Sequence, residues 1–180
     1  MILMLNGPFG AGKTTVATAL AARLPDAMLY DPEVVGLHAR DLTAGILPAY
    51  EATDDFQDIR LWPDLVVATA GLIHARYGRS LIVPMTLDDP DRLARIREGF
   101  REIDPRTHHV CLMAPLDVLL ERLRAREVPA GADPAQSWRW AERRATESRA
   151  ALAAAQFGPH VASHGRPVEE TIAEILRLVA

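Results

Sequence analysis

Ten residues near the start of the chain, Asn6-Gly7-Pro8-Phe9-Gly10-Ala11-Gly12-Lys13-Thr14-Thr15, carry its most distinctive chemistry. Gly7, Gly12, Lys13 and Thr14 satisfy the pattern G-x-x-x-x-G-K-[ST]. Glycines at this spacing let successive backbone N–H groups turn inward around an anion. A helix opening near Lys13 adds its positive end. Lys13 is the only lysine among 20 basic residues, the rest being arginine. An ammonium on a flexible stem can follow β- and γ-phosphates, whereas the planar guanidinium fork is bulkier and needs another geometry. A chain that otherwise uses arginine therefore keeps lysine where a phosphate pocket requires it. The Thr14 hydroxyl is suited to Mg²⁺. ATP with Mg²⁺ is the ligand expected at Gly7 to Thr15, with Phe9, Gly10 and Ala11 inside the turn.

A second group is "LYDPE", where Asp31 ends an apolar run and Glu33 follows two residues on. Ligands of open α/β sheets gather at the carboxyl ends of strands. There Asp31 can hold a Mg²⁺-bound water and Glu33 can accept a hydroxyl proton, which suits phosphoryl transfer to an alcohol. Asp before Pro-Glu is also good helix-capping chemistry, so a purely structural role is the competing reading. In "ERLRARE", Arg122 and Arg126 are spaced i, i+4 and share a helical face, one suited to a purine ring and the other to phosphate. Glu121 and Glu127 favour instead an ordinary solvated face. Arg139, Arg143 and Arg144 follow a loop containing glycine and proline, a composition that fits a lid over residues 127–150. Trp138, His108 and His109 read as structural, and no His/Cys/acid spacing suggests zinc. With a single lysine there can be no N-K-x-D base-reading motif, which disfavours a GTPase switch.

The elements that must position these groups are short apolar runs alternating with helical patterns. Strands are expected at Ile2 to Leu5, "AMLYD", "SLIVPM", "HHVCLMA" and, weakly, "HVAS". Helices are expected from "KTTVATALAARL", "PEVVGLHARDL", "PDLVVATAGLIHARYG", "DPDRLARIREGFREI", "LDVLLERLRARE", Trp138 to Ala155 and "PVEETIAEILRLV". Gly45 to Asp58 is irregular and "VPAGADPAQ" a loop. Five apolar strands alternating with helices imply a parallel sheet covered on both faces.

Composition bounds the rest. The 180 residues favour one domain, and 49% hydrophobic content supports a substantial core. A net charge of -4 argues against a general nucleic-acid binder. One cysteine, Cys111, excludes an internal disulfide. The five-residue apolar start is too short for a leader, and no apolar run approaches 18 residues. A cytoplasmic protein without a transmembrane segment is expected, with peripheral membrane contact left open and either a monomer or a homodimer allowed.

The start of the chain, "YDPE", "DDFQ", "LW", "LIVPMT", "HHVCLMA" and "LLERLRAR", in this order, closely resemble the tunicamycin resistance protein family, small P-loop proteins allied to nucleotide, shikimate and chloramphenicol kinases. The resemblance runs from Met1 to about Ala173. It implies a three-layer α/β P-loop kinase fold with a five-stranded parallel sheet in order 2-3-1-4-5, and a role in resistance to a uridine-containing nucleoside antibiotic. It implies that Arg122 stacks on adenine, that Arg126 contacts phosphate, and that Arg166 lies in a loop, Ala162 to Arg166, framing the base. Residues 33–61 would bind the acceptor, a nucleoside- or sugar-like small molecule, with Glu33, His38, Phe56, Gln57, Arg60, Thr86 and Arg143 near it. Lys13, Glu33 and Arg126 form the expected catalytic set, with Thr14 and Asp31 toward the metal. Two rival readings are a binder that sequesters the antibiotic without catalysis and a housekeeping nucleotide or metabolite kinase.

Overall fold

The computed structural model describes residues 1–127, 131 and 133–180. Parts of the expected 128–136 loop and 127–150 lid, at 128–130 and 132, lie outside the described residues. Five parallel strands, β1 (Ile2–Asn6), β2 (Ala27–Leu29), β3 (Ser80–Pro84), β4 (Thr107–Met113) and β5 (His160–Ala162), form one sheet in order β2-β3-β1-β4-β5. β1 is central and fully buried, so it reads as an unbroken apolar run rather than an alternation.

Its side chains divide between the two faces. Ile2 and Met4 pack with Leu81, Val83 and Cys111 under α3 (Trp62–Tyr77) and α4 (Pro90–Ile103), where Trp62, Val66, Ile96 and Phe100 are buried. Leu3 and Leu5 pack with Ile82, Val110 and Leu112 under α1 (Lys13–Arg23), α5 (Leu116–Arg124) and α7 (Val168–Leu178), through Val16, Leu20, Leu119, Ile172 and Ile175. Pro84 is tolerated inside the sheet because its missing N–H faces β2, which has already ended at Leu29.

Helix starts repeat one device. Asp31, Asp89 and Asp133 each accept a bond from a first-turn amide and are followed by proline, opening α2 (Pro32–Leu42), α4 and α6 (Pro134–Ala151). The cap at Asp133 starts α6 four residues before the expected Trp138, and the helix ends at Ala151 rather than Ala155. A second correction concerns α5, which stops at Arg124; the Arg126 amide bonds the Leu123 carbonyl at 3.2 Å in a tightened turn. Arg122 and Arg126 therefore do not share a helical face.

Between α2 and α3 the chain makes a 3₁₀ turn, Phe56–Asp58, capped by Asp55. Phe56 lies against Gly36 of α2 and edge-on to Trp62, and the Trp62 indole donates to the Pro32 carbonyl at 3.0 Å. A Cβ at Gly36 would sit 2.2 Å from the Phe56 ring. Gly36→Ala gains up to about 1 kcal/mol of helix propensity. Expelling the ring costs about 1–3 kcal/mol. Net destabilisation is expected in urea unfolding; a more stable variant would show that Phe56 does not hold this segment.

Candidate active site

The glycine turn leaves the C-terminal end of β1 as expected, and its shape depends on close approaches. Gly10 adopts φ +82°, and a Cβ there would lie 2.8 Å from the Leu119 carbonyl; at Gly7 the distance to the Leu112 carbonyl would be 2.6 Å. Asn6 fixes the base of the turn. Its Oδ1 accepts from the amides of Gly7 and Leu87, and its Nδ2 donates to the Leu87 carbonyl. The Lys13 ammonium folds back under the turn, donating to the carbonyls of Gly7 at 2.8 Å and Pro8 at 2.9 Å.

Burial pulls the Lys13 pKa down to about 7; Cys111 opposes this, Arg126 adds to it and Glu33 opposes it. Phosphate charge beside the ammonium must raise that value, so nucleotide binding is linked to proton uptake. The sign is definite: below pH 7 the lysine is already charged, and above pH 7 binding must draw in a proton. At pH 8, above the γ-phosphate's own titration, net proton uptake is expected. Calorimetric titration with MgATP in buffers of different ionisation enthalpy measures it; no proton exchange would mean that Lys13 does not meet the phosphates.

In front of the turn lies a cleft of about 690 Å³. It is lined by Phe9, Gly10, Gly12, Lys13 and Thr14 from the turn, by Asp31 and Glu33, and by Phe56 and Gln57. Thr86, Arg126 and Arg143 also reach it. The Asp31 Oδ1 caps α2 through the Glu33 amide at 2.9 Å, the structural reading of "YDPE", and the residue also lines the cleft. Partial burial raises the Glu33 pKa above the usual carboxylate range; Asp31 adds to this, Lys13 opposes it and Asp55 adds again. The effect strengthens Glu33 as a base.

The wall on the side of β3 is cross-linked. The Thr86 hydroxyl donates to the Gly7 carbonyl at 3.0 Å, the Gln57 amide donates to the Thr86 carbonyl at 2.9 Å, and Arg92 donates to Gln57 Oε1 at 2.9 Å. Gln57 thus holds the 3₁₀ turn against the phosphate turn with both ends of its amide engaged.

Other expected contacts lie elsewhere. Arg60 is 76% exposed, 3.8 Å from Glu51 and stacked on Tyr50, away from the cleft lining. His38 is exposed, with Nδ1 bonded to the Val34 carbonyl one helical turn back. Arg166 bonds the Ala162 carbonyl and pairs with Glu174 at 2.6 Å. Arg122 is not in the cleft lining; it donates to the carbonyls of Gly10 at 3.3 Å and Ser163 at 2.6 Å, so it ties the turn to the loop after β5. Thr15 is exposed outside the lining, and Ala11 is fully buried. Cys111 is buried, with its pKa pushed up to about 12 by desolvation, so it supplies no thiolate.

Sequence reasoning missed Arg40, Asp54, Trp140 and Glu147, which also line the cleft. Trp140 packs edge-on to Phe9 at 5.2 Å, and Arg144 lies 5.6 Å over the same ring and 3.4 Å from Asp55. α6 thereby reaches across the cleft to the segment after α2. "DDFQ" marked this segment in the sequence; nothing marked Trp140. Among the described residues no three His, Cys, Asp or Glu side chains form a metal cage. Thr14 and Asp31 both line the cleft, and their oxygens are donors of the kind that fit a Mg²⁺ ion keeping water and phosphate ligands.

The sheet order, the phosphate turn at the end of β1 and the cleft at the strand ends define a P-loop kinase-like α/β domain. The chain belongs to the AAA domain family, whose model matches residues 2–153, and to the family of the tunicamycin resistance protein of Deinococcus radiodurans, with which it shares 30% identity over 99% of this chain and 95% of that one at TM-score 0.75. A sugar kinase from Janibacter is similar in fold at 22% identity and TM-score 0.64, covering 98% of this chain and 92% of its own. A shikimate kinase from Bacteroides thetaiotaomicron is similar at 20% identity and TM-score 0.59, covering 99% of this chain and 98% of its own. No curated protein sequence matches the chain. Among the described residues, no helix is long and apolar enough to cross a membrane.

Proposed function

We propose that this protein is a MgATP-dependent small-molecule kinase that confers resistance to tunicamycin by phosphorylating a hydroxyl of a nucleoside- or sugar-like acceptor, tunicamycin itself being the first candidate. The observation that carries this reading is one cleft lined by Lys13, Thr14 and Arg126 on one side and by a carboxylate of raised pKa, Glu33, on another. A protein that only held its ligand has no need of a base beside the phosphates.

In this mechanism the turn amides and Lys13 hold the β- and γ-phosphates, and Thr14 and Asp31 receive Mg²⁺, which supplies charge neutralisation when bound. Residues 33–61 hold the acceptor with its hydroxyl toward Glu33. The acceptor oxygen attacks the γ-phosphorus as Glu33 takes its proton. The bond from the γ-phosphorus to the β–γ bridging oxygen breaks, and ADP leaves with that electron pair. Arg126 and Arg143 offset the charge on the transferring group. The segment over 127–150 serves as the lid, with Trp140 and Arg144 as its contacts to Phe9 and Asp55.

The test is incubation with γ-labelled ATP, Mg²⁺ and tunicamycin. Mass spectrometry should find one added phosphate, with label on the antibiotic. Resistance in cells without any phosphorylated product would favour sequestration. Turnover on nucleosides or sugars but not on the antibiotic would favour the housekeeping kinase.

A further inference from the structure

A second cavity, of about 270 Å³, lies at the opposite end of the sheet, where β4 begins. β4 has seven residues, so its ends are separated by about 20 Å at roughly 3.3 Å per residue, and the cavity is not part of the cleft at the phosphate turn. β5 first meets β4 at Cys111, leaving the edge of β4 from Thr107 to Val110 without a neighbouring strand. α4 closes one side of this gap with Arg97 and Arg101; Pro159 and the end of α7, at Leu178, close the other.

The groups aimed into the gap lack partners. His109 is 91% buried, and neither ring nitrogen has a hydrogen bond. The Gly158 backbone lies close enough to bias the ring's protonation but not in hydrogen-bonding geometry. The Arg97 Nε is likewise buried and unpartnered, and among the described residues Arg97 enters no ion pair. Among the described residues Arg101 pairs only with Glu98 of its own helix, at 3.4 Å and largely in solvent. Among the described residues no carboxylate lines the cavity, while two arginines and two histidines, His108 and His109, do. Buried polar groups without partners are costly, and their clustering around one space points to a ligand that satisfies them together.

We infer that this cavity is an anion-binding site that takes a phosphate group, held by Arg97, Arg101 and His109. The guanidinium forks supply charge-assisted donors in the geometry that phosphate accepts. Desolvation and then Arg97 hold the His109 pKa down to about 4, so the ring is neutral at pH 7 and has one N–H to give.

The test uses full-length Lys13→Met protein, so that the turn after β1 does not compete for phosphate. Glycerol 3-phosphate and inorganic phosphate are titrated at pH 7, with glycerol as the uncharged control. Amide shifts are followed by two-dimensional NMR. Saturable shifts at residues 107–110, Gly158 and His160 are expected for both phosphates and not for glycerol. Arg97→Met should weaken binding at least tenfold while leaving the rest of the spectrum in place. His109→Gln, which keeps a donor, should retain more affinity than His109→Leu. Absence of shifts at these residues, or equal affinity in Arg97→Met, overturns the assignment.

Discussion

Lys13→Arg is expected to weaken MgATP binding at least tenfold and to lower phosphoryl transfer by roughly 10²–10³-fold, the usual cost of losing one donor aimed at developing charge. Both side chains are cationic once phosphate is bound, so the loss would be one of shape. The ammonium reaches two carbonyls of its own turn, Gly7 and Pro8, at 2.8 and 2.9 Å, in a space enclosed by the chain. A guanidinium is wider, holds its donors in a plane and cannot give up its proton to ease burial, whereas Lys13 has a pKa of about 7 and can. The variant should therefore also lose the proton uptake at pH 8 expected of the parent. Calorimetry gives the affinity and labelled ATP the turnover. Unchanged values for both would remove Lys13 from the phosphate site, and with it the reading of the turn.

Glu33→Gln is the second variant with a large expected effect. It keeps the size of the side chain and much of its hydrogen bonding but removes the base, which is worth roughly 10²–10⁴-fold in rate. ATP affinity should survive, because the phosphates are met by the turn and by Lys13. The Glu33 carboxyl is held above the usual range first by burial, then by Asp31, with Lys13 opposing and Asp55 adding. Transfer in the parent should accordingly fall as the pH drops through this raised value, and Glu33→Gln should flatten that acidic limb. Asp31→Asn should behave differently, weakening Mg²⁺ dependence as well as turnover. Since Asp31 also caps α2, its stability needs measuring alongside; asparagine caps nearly as well, so little loss is expected. If Glu33→Gln keeps full turnover, the base is elsewhere. If it keeps full resistance and antibiotic affinity while no phosphorylated product forms in the parent, sequestration is the better account.

Much of this protein was legible along the chain, because the deciding features are local. The glycines of the phosphate turn, the Asp-Pro helix starts and the apolar runs act within a few residues, and they determine the strands, most helix boundaries and the phosphate site. The order β2-β3-β1-β4-β5 came from resemblance to a family rather than from periodicity, since an apolar run does not say which neighbour it will pair with. Only the tertiary structure decided which side chains share the cleft. Arg60 and His38 sit in a segment that reads as acceptor-binding, yet Arg60 turns out to Glu51 and Tyr50, and His38 bonds back along α2. Arg122 and Arg126 have helical spacing, yet α5 ends at Arg124, leaving one bonded to the Gly10 and Ser163 carbonyls and the other at the cleft. Trp140 and Arg144 reach Phe9 only because α6 folds across the turn, more than a hundred residues away in sequence. Spacing along one element fixes direction relative to that element alone; contacts between elements depend on how the helices pack on the sheet, which no short stretch encodes.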